Sequence, residues 1–166
     1  TNAGKSTIMQ QISNKQSYIK DELFATLDTN TKKIIINKIN YFLLSDTVGF
    51  IRNLPDNLIA SFRSTLSEIV DSNLLLKVVD INSSEYLNHL ISIDNVLQYL
   101  EISEKEYFII FNKVDLINDN NLIKMLSVKY PNSIFVSGIK KDNIKLILDK
   151  IKSYMNKKYI SKKIKI

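Results

Sequence analysis

The chain has 166 residues, 45% of them apolar, a formal net charge of +6 and no cysteine. That length suits one domain able to bury a full core, and the lack of cysteine excludes disulfides, zinc-thiolate sites and thiol catalysis. No apolar run reaches the ~18 residues of a membrane span and no secretory signal is visible, so a cytoplasmic protein is expected; a monomer is expected as well.

The chain opens on "TNAGKST". Gly4, Lys5 and Ser6 match the end of the phosphate-loop pattern G-x-x-x-x-G-K-[ST], and residues 5–13 read as the helix that follows such a loop. Backbone N–H groups of the loop form an anion-binding nest, and the helix presents its positive end to phosphate. Asn2, Ala3, Gly4, Lys5, Ser6 and Thr7 are therefore the candidate phosphate-side residues. Gly4 lets the backbone come close, Lys5 reaches the β- and γ-phosphates, and the Ser6 hydroxyl is a candidate Mg²⁺ ligand. The first glycine of the pattern and the strand that leads into it are expected before Thr1. Without them, residues 1–166 alone are expected to fold poorly or to hold nucleotide weakly. A bare Gly-Lys-Ser also occurs by chance.

Residues 33–39 and 41–46 read as two strands joined tightly at Asn40. "DTVG", residues 46–49, follows directly. A carboxylate at a strand end can hold Mg²⁺ through water, which makes Asp46 a metal candidate, and the Gly49 N–H can meet a γ-phosphate. The plain alternative is a turn. Residues 55–70 form a helical pattern, with Pro55 in the first turn and Leu58, Ile59, Phe62, Leu66 and Ile69 on one face. A strand at 74–80, a helix at 84–100 and a strand at 106–113 come next.

The last of these ends in "NKVD", residues 112–115, which resembles the guanine-reading motif of GTPases. The Asp115 carboxylate can accept hydrogen bonds from N1 and N2 of guanine, which adenine cannot supply. Lys113 would lay its stem over the base, and Asn112 would tie the loop to the phosphate side. A short helix is expected at 120–128. A last strand, 133–138, ends in "VSGIK", a loose likeness of the loop whose backbone touches guanine O6, with Gly138 where Ala is usual and Ser137 before it. A helix at 142–155 closes the pattern. The basic end, with Lys157, Lys158, Lys162, Lys163 and Lys165, reads either as a solvated tail or as a contact with a phosphate backbone such as RNA.

Alternating strands and helices imply an α/β fold with a mostly parallel sheet and helices on both faces. All four motifs fall at strand-to-helix junctions, which gather along one edge of such a sheet. The expected organisation is a P-loop NTPase G domain over residues 1–156, lacking its first strand and first loop glycine, and a basic tail over 157–166.

The stretches "DELFATLDTNTKK" and "LLSDTVGFIRNLPDNLIASFRSTLSEIVDSNLLLKVVD" closely resemble the HflX family of ribosome-associated GTPases. The resemblance implies slow, ribosome-stimulated GTP hydrolysis and the splitting of stalled or stressed ribosomes. GTP, GDP and the ribosome (large subunit and rRNA) are the implied partners, and Mg²⁺ the implied cofactor. It also places Thr26 where switch I supplies a Mg²⁺-sensing Thr. Phe50 stands where many GTPases carry a water-orienting Gln; a Phe has no donor or acceptor for that task, so no catalytic side chain is assigned. Asn2 matches the loop Asn of potassium-stimulated GTPases, which makes K⁺ a candidate cofactor; the plain reading is an Asn that shapes its own loop. Two other functions stay open: a nucleotide-dependent binding module with little or no hydrolysis, and a GTPase of a ribosome-assembly or tRNA-modification branch.

Overall fold

The computed structural model describes the backbone of residues 2–14, 30–37, 40–46 and 68–163. The candidates Thr26, Gly49 and Phe50, and the helix expected over 55–67, lie outside the described residues.

Helix α1 (Lys5–Asn14) begins straight after Gly4, whose carbonyl accepts its first hydrogen bond from the Ile8 N–H at 3.0 Å. Its apolar residues Ile8, Met9 and Ile12 share one face and are buried. Strands β1 (Asn30–Ile35) and β2 (Tyr41–Asp46) pair antiparallel, from Asn30 opposite Asp46 to Ile35 opposite Tyr41. The connection closes on Asn40, whose N–H donates to the Asn37 side chain at 2.8 Å, the local bond that suits Asn to turns. β1 starts three residues earlier than its apolar run, because pairing with β2 recruits polar residues of low strand propensity.

Strands β3 (Leu75–Asp80), β4 (Tyr107–Asn112) and β5 (Ile134–Val136) form a separate parallel sheet in that order. Between them run α2 (Tyr86–Tyr99), a 3₁₀ turn at Val114–Leu116 and α3 (Asn120–Lys129), and α4 (Ile144–Lys163) follows β5. Asp119 caps α3 by accepting the Asn121 N–H at 2.8 Å.

β4 is the hinge of two cores. On one face Ile110, Ile134 and Val136 pack with Ile8 and Ile12 of α1 and with Ile144, Ile147, Leu148 and Ile151 of α4. On the other, Val79, Ile109 and Phe111 pack with Leu90 of α2 and Leu126 of α3. The side chains of a strand alternate between faces, so continuous apolar sequence in β4 feeds both clusters. Ile34, Phe42 and Leu44 of the hairpin join the α1 cluster, which is how the two sheets meet.

Two expectations need revision. The hairpin is not covered on both faces: β2 alternates, with Tyr41 and Leu43 exposed at 51% and 64% and Phe42 and Leu44 half-buried. Its covered face, with Ile34, Phe42 and Leu44, packs toward α1 and the cluster behind it. The last helix does not stop at 155 but runs to Lys163, so most of the basic end is helical. Within it the exposed Lys158 lies 4.9 Å from the Tyr154 ring and 3.8 Å from a Glu106 oxygen; hydrogen bonding to Tyr154 first, and the Glu106 charge to a lesser degree, raise its pKa above the ordinary lysine value.

One charge enters the interior. The Lys77 ammonium, in a residue only 6% exposed, donates to Asp94 at 2.6 Å and sits 3.3 Å from the centroid of the Tyr107 ring. A buried ammonium needs such partners, a carboxylate and an aromatic face.

Phe111 is fully buried, stacked on Phe135 at 5.2 Å and edge-on to Tyr86 at 6.4 Å. Phe111→Ala is expected to lower stability by about 3–5 kcal/mol, measured as the shift in denaturant unfolding.

Candidate functional site

The C-terminal ends of β2, β3, β4 and β5 and the N-terminus of α1 converge, and the candidate residues sit there. In the loop before α1, Asn2 and Gly4 both have positive φ, at 67° and 84°. Alternation of this kind turns successive N–H groups into one concavity, the shape that receives an anion. Asn2 is exposed; Ala3, Gly4, Lys5 and Thr7 are half-buried.

The centre of the site is the Asn112 side chain, only 3% exposed. Its Nδ2 donates to the Ala3 carbonyl at 2.8 Å, and its Oδ1 accepts the Gly138 N–H at 2.9 Å. One amide thus joins the loop before α1, the end of β4 and the loop after β5. Gly4 is held to glycine twice over. Its φ of 84° disfavours a side chain, and a Cβ there would lie 2.3 Å from Asn112 Nδ2. At Gly138 a Cβ would meet Thr7 Cγ2 at 3.3 Å, a tight contact that small shifts could absorb, so glycine in place of the expected Ala relaxes the junction.

Ser6 and Asp46 meet directly. The Ser6 hydroxyl donates to Asp46 Oδ2 at 2.5 Å, bringing a residue of α1 against the end of β2. These are hard oxygen donors of the type Mg²⁺ takes, and Mg²⁺ uses one or two protein ligands beside waters and phosphates. The described residues contain no cluster of three or more His, Cys, Asp or Glu that could hold a metal ion. The donor set fits Mg²⁺ shared with a phosphate ligand better than a dedicated protein cage.

On the other side, Lys113 has φ 67° and its ammonium donates to Asp80 Oδ2 at 2.6 Å. Asp115 lies half-buried in the 3₁₀ turn that follows. Ser137 is fully buried; its backbone pairs with Asp142 and its hydroxyl accepts the Lys140 N–H at 3.0 Å, so the side chain shapes its own loop. The next residue but one, Ile139, is 76% exposed, an apolar surface beside Gly138 that patterning alone did not single out. Asp80 was missed as well, because from sequence it reads only as the polar end of a strand.

The chain matches the family described as 50S ribosome-binding GTPase over residues 1–113. It is 44% identical over 115 residues to the GTPase HflX of Flavobacterium psychrophilum, covering 69% of this chain and 28% of that protein. To the GTPase HflX of Akkermansia muciniphila it is 38% identical over 146 residues, covering 86% of this chain and 33% of the relative. It therefore spans only about a third or less of these relatives' length. Among solved structures, a GTP-binding protein from Sulfolobus solfataricus in complex with GDP superposes with a TM-score of 0.70 and 29% identity, over 92% of this chain and 49% of the other. No helix among the described residues is long and apolar enough to cross a membrane. By these likenesses the chain belongs to the 50S ribosome-binding GTPases and carries a GTP-binding G domain of the HflX family, on a P-loop GTPase fold.

Proposed function

We propose that the protein carrying this chain binds GTP and GDP with Mg²⁺ and hydrolyses GTP to GDP and phosphate, and that its nucleotide state controls association with the large ribosomal subunit and the splitting of ribosomes under stress. The observation that carries the reading is the Asn112 amide, which fastens the phosphate-side loop to the two base-side loops. Such a bridge has a purpose if one ligand spans both. The base end lies at Asp115, Lys113 and the loop of Ser137, Gly138 and Ile139; the phosphate end lies at Asn2, Ala3, Gly4, Lys5, Ser6 and Thr7.

Within this reading the residues divide the work. The loop N–H groups and Lys5 would hold the phosphates, with the positive end of α1 behind them. Ser6 would ligate Mg²⁺, with Asp46 set against its hydroxyl and holding the ion through water; Thr26 would join the Mg²⁺ site, and the Gly49 N–H would meet the γ-phosphate. The ion, held there with the nucleotide, would supply positive charge against the negative charge that develops on phosphoryl transfer. Asp115 would accept from guanine N1 and N2. Phe50 has no polar atom to orient water, so charge compensation falls to the loop, where Asn2 is the candidate ligand of K⁺. A binding module without turnover is the competing function; Phe50 is what favours it.

Turnover separates the two readings. The full-length protein is expected to release phosphate from GTP in Mg²⁺ and faster with ribosomes present; tight binding without turnover in either condition would establish the binding module instead. If Asn2 helps hold a monovalent cation, hydrolysis is faster in K⁺ than in Na⁺ at equal ionic strength, and equal rates would remove that role.

Gly4→Ala is expected to abolish measurable guanine-nucleotide binding, because its Cβ would displace Asn112; isothermal titration with GDP checks it. Asp115→Asn is expected to weaken GDP binding at least about 100-fold, since an amide presents one donor where guanine N1 and N2 both need an acceptor. Xanthosine diphosphate, which carries an oxygen at that edge, should recover part of the loss.

A further inference from the structure

Asp80, the ion-pair partner of Lys113, has no place in the reading so far. Asp80 ends β3 and lies opposite Asn112 in the parallel register. Its two carboxylate oxygens are divided. Oδ2 accepts from the Lys113 ammonium at 2.6 Å, and Oδ1 accepts the Asn82 N–H at 3.0 Å. The backbone repeats the join, with the Ile81 N–H donating to the Asn112 carbonyl at 3.0 Å. The side chains of Lys113 and Asp80 are only 25% and 18% exposed, so the pair is less screened than one in open water.

Lys113 needs such an anchor. Its backbone is in the left-handed region, at φ 67°, which a long side chain adopts only where its surroundings impose it. Its side chain also has many rotamers to lose. A lysine left to wander would have to be ordered by the ligand itself, at the cost of affinity. Fixing its far end on Asp80 leaves the four-carbon stem as a preformed strip beside the turn that carries Asp115. Each Asp80 oxygen already accepts one protein hydrogen bond, so the carboxylate is oriented toward the Lys113 turn and its own loop.

We infer that Asp80 is a positioning residue for nucleotide binding: its carboxylate holds Lys113 so that the lysine stem forms one wall of the base pocket before the nucleotide arrives. The inference rests on the nucleotide reading above. Because a base wall acts equally in ground and transition states, its loss raises the KM for GTP and the Kd for GDP while leaving kcat unchanged.

The test is a double-mutant cycle in the full-length protein, with GDP affinity measured by titration and unfolding followed for each variant. Wild type is measured first, and failure of wild type to bind GDP overturns the nucleotide reading itself. Asp80→Asn keeps an acceptor for Asn82 and loses the charge. It is expected to weaken GDP about tenfold, within the range found for coupled neighbours, at an unchanged melting temperature. In the Lys113→Met background the same change is expected to add nothing. The positioning role is overturned if Asp80→Asn binds GDP as wild type does, or if its effect is undiminished beside Lys113→Met. Should Asp80→Asn not fold, Lys113→Arg replaces it. A guanidinium keeps the charge against Asp80, so the Kd is expected within about threefold of wild type, and a loss as large as that of Lys113→Met overturns the proposal.

Discussion

Everything at the site hangs on one buried amide. Asn112 joins segments 109 and 26 residues away from it in sequence, through Ala3 and Gly138. Only a side chain with a donor and an acceptor on one short stem can do this. An aspartate would face the Ala3 carbonyl with a second acceptor, and a leucine would leave two backbone groups unpaired, at about 1–3 kcal/mol each where they are buried. The requirement spreads outward. Because Asn112 Nδ2 occupies the space above Gly4, that position is glycine; because the Gly138 N–H points back at Asn112, the loop after β5 must turn tightly.

The amide is only as fixed as the strand that carries it. β4 is clamped by Ile110 on one side and by Ile109 and Phe111 on the other, each 6% exposed or less. Close-packed interiors transmit small displacements rather than absorbing them, so the two hydrophobic clusters set the position of Asn112 at the strand's end. α1 is held by the same means. Ile8 and Ile12 lock it against α4, and the loop that begins it hangs from that anchor. The core and the site form one mechanical object, and a cavity at Phe111 would be felt at residues 112–115.

Several parts of this arrangement were legible in the residues themselves. Apolar runs with β-branched and aromatic residues located β2, β3, β4 and β5 within one to three residues, and the motifs fell at strand ends because ligands bind there in such sheets. The Ser6–Asp46 contact follows from two motifs that both point to Mg²⁺. What could not be read were the long-range polar pairs. Asp80 and Lys77 look like ordinary charges in an apolar strand, and only parallel pairing with β4 and the packing of α2 bring them to Lys113 and Asp94. The extent of α4 was underestimated for a related reason: its late turns carry charges and few apolar residues, and pattern recognition stops where periodicity fades although the hydrogen-bonded helix continues.

The two ends of the site are prepared differently. The end proposed for the base is closed by internal bonds, with Asn112, Asp80 and Ser137 satisfied by protein groups, so a nucleotide there would meet a shape already set by folding. At the end proposed for the phosphates the Ser6–Asp46 bond is of another kind. A hydroxyl has one proton and two lone pairs; with its proton given to Asp46, the lone pairs of Ser6 remain able to ligate a cation. A Mg²⁺ bound at Ser6 would therefore leave this hydrogen bond intact, and Asp46 would act from behind the ligand by orienting the hydroxyl and raising its electron density. In that arrangement the Asp46 carboxylate would act on the ion through the Ser6 hydroxyl it already holds, as well as through any water they share.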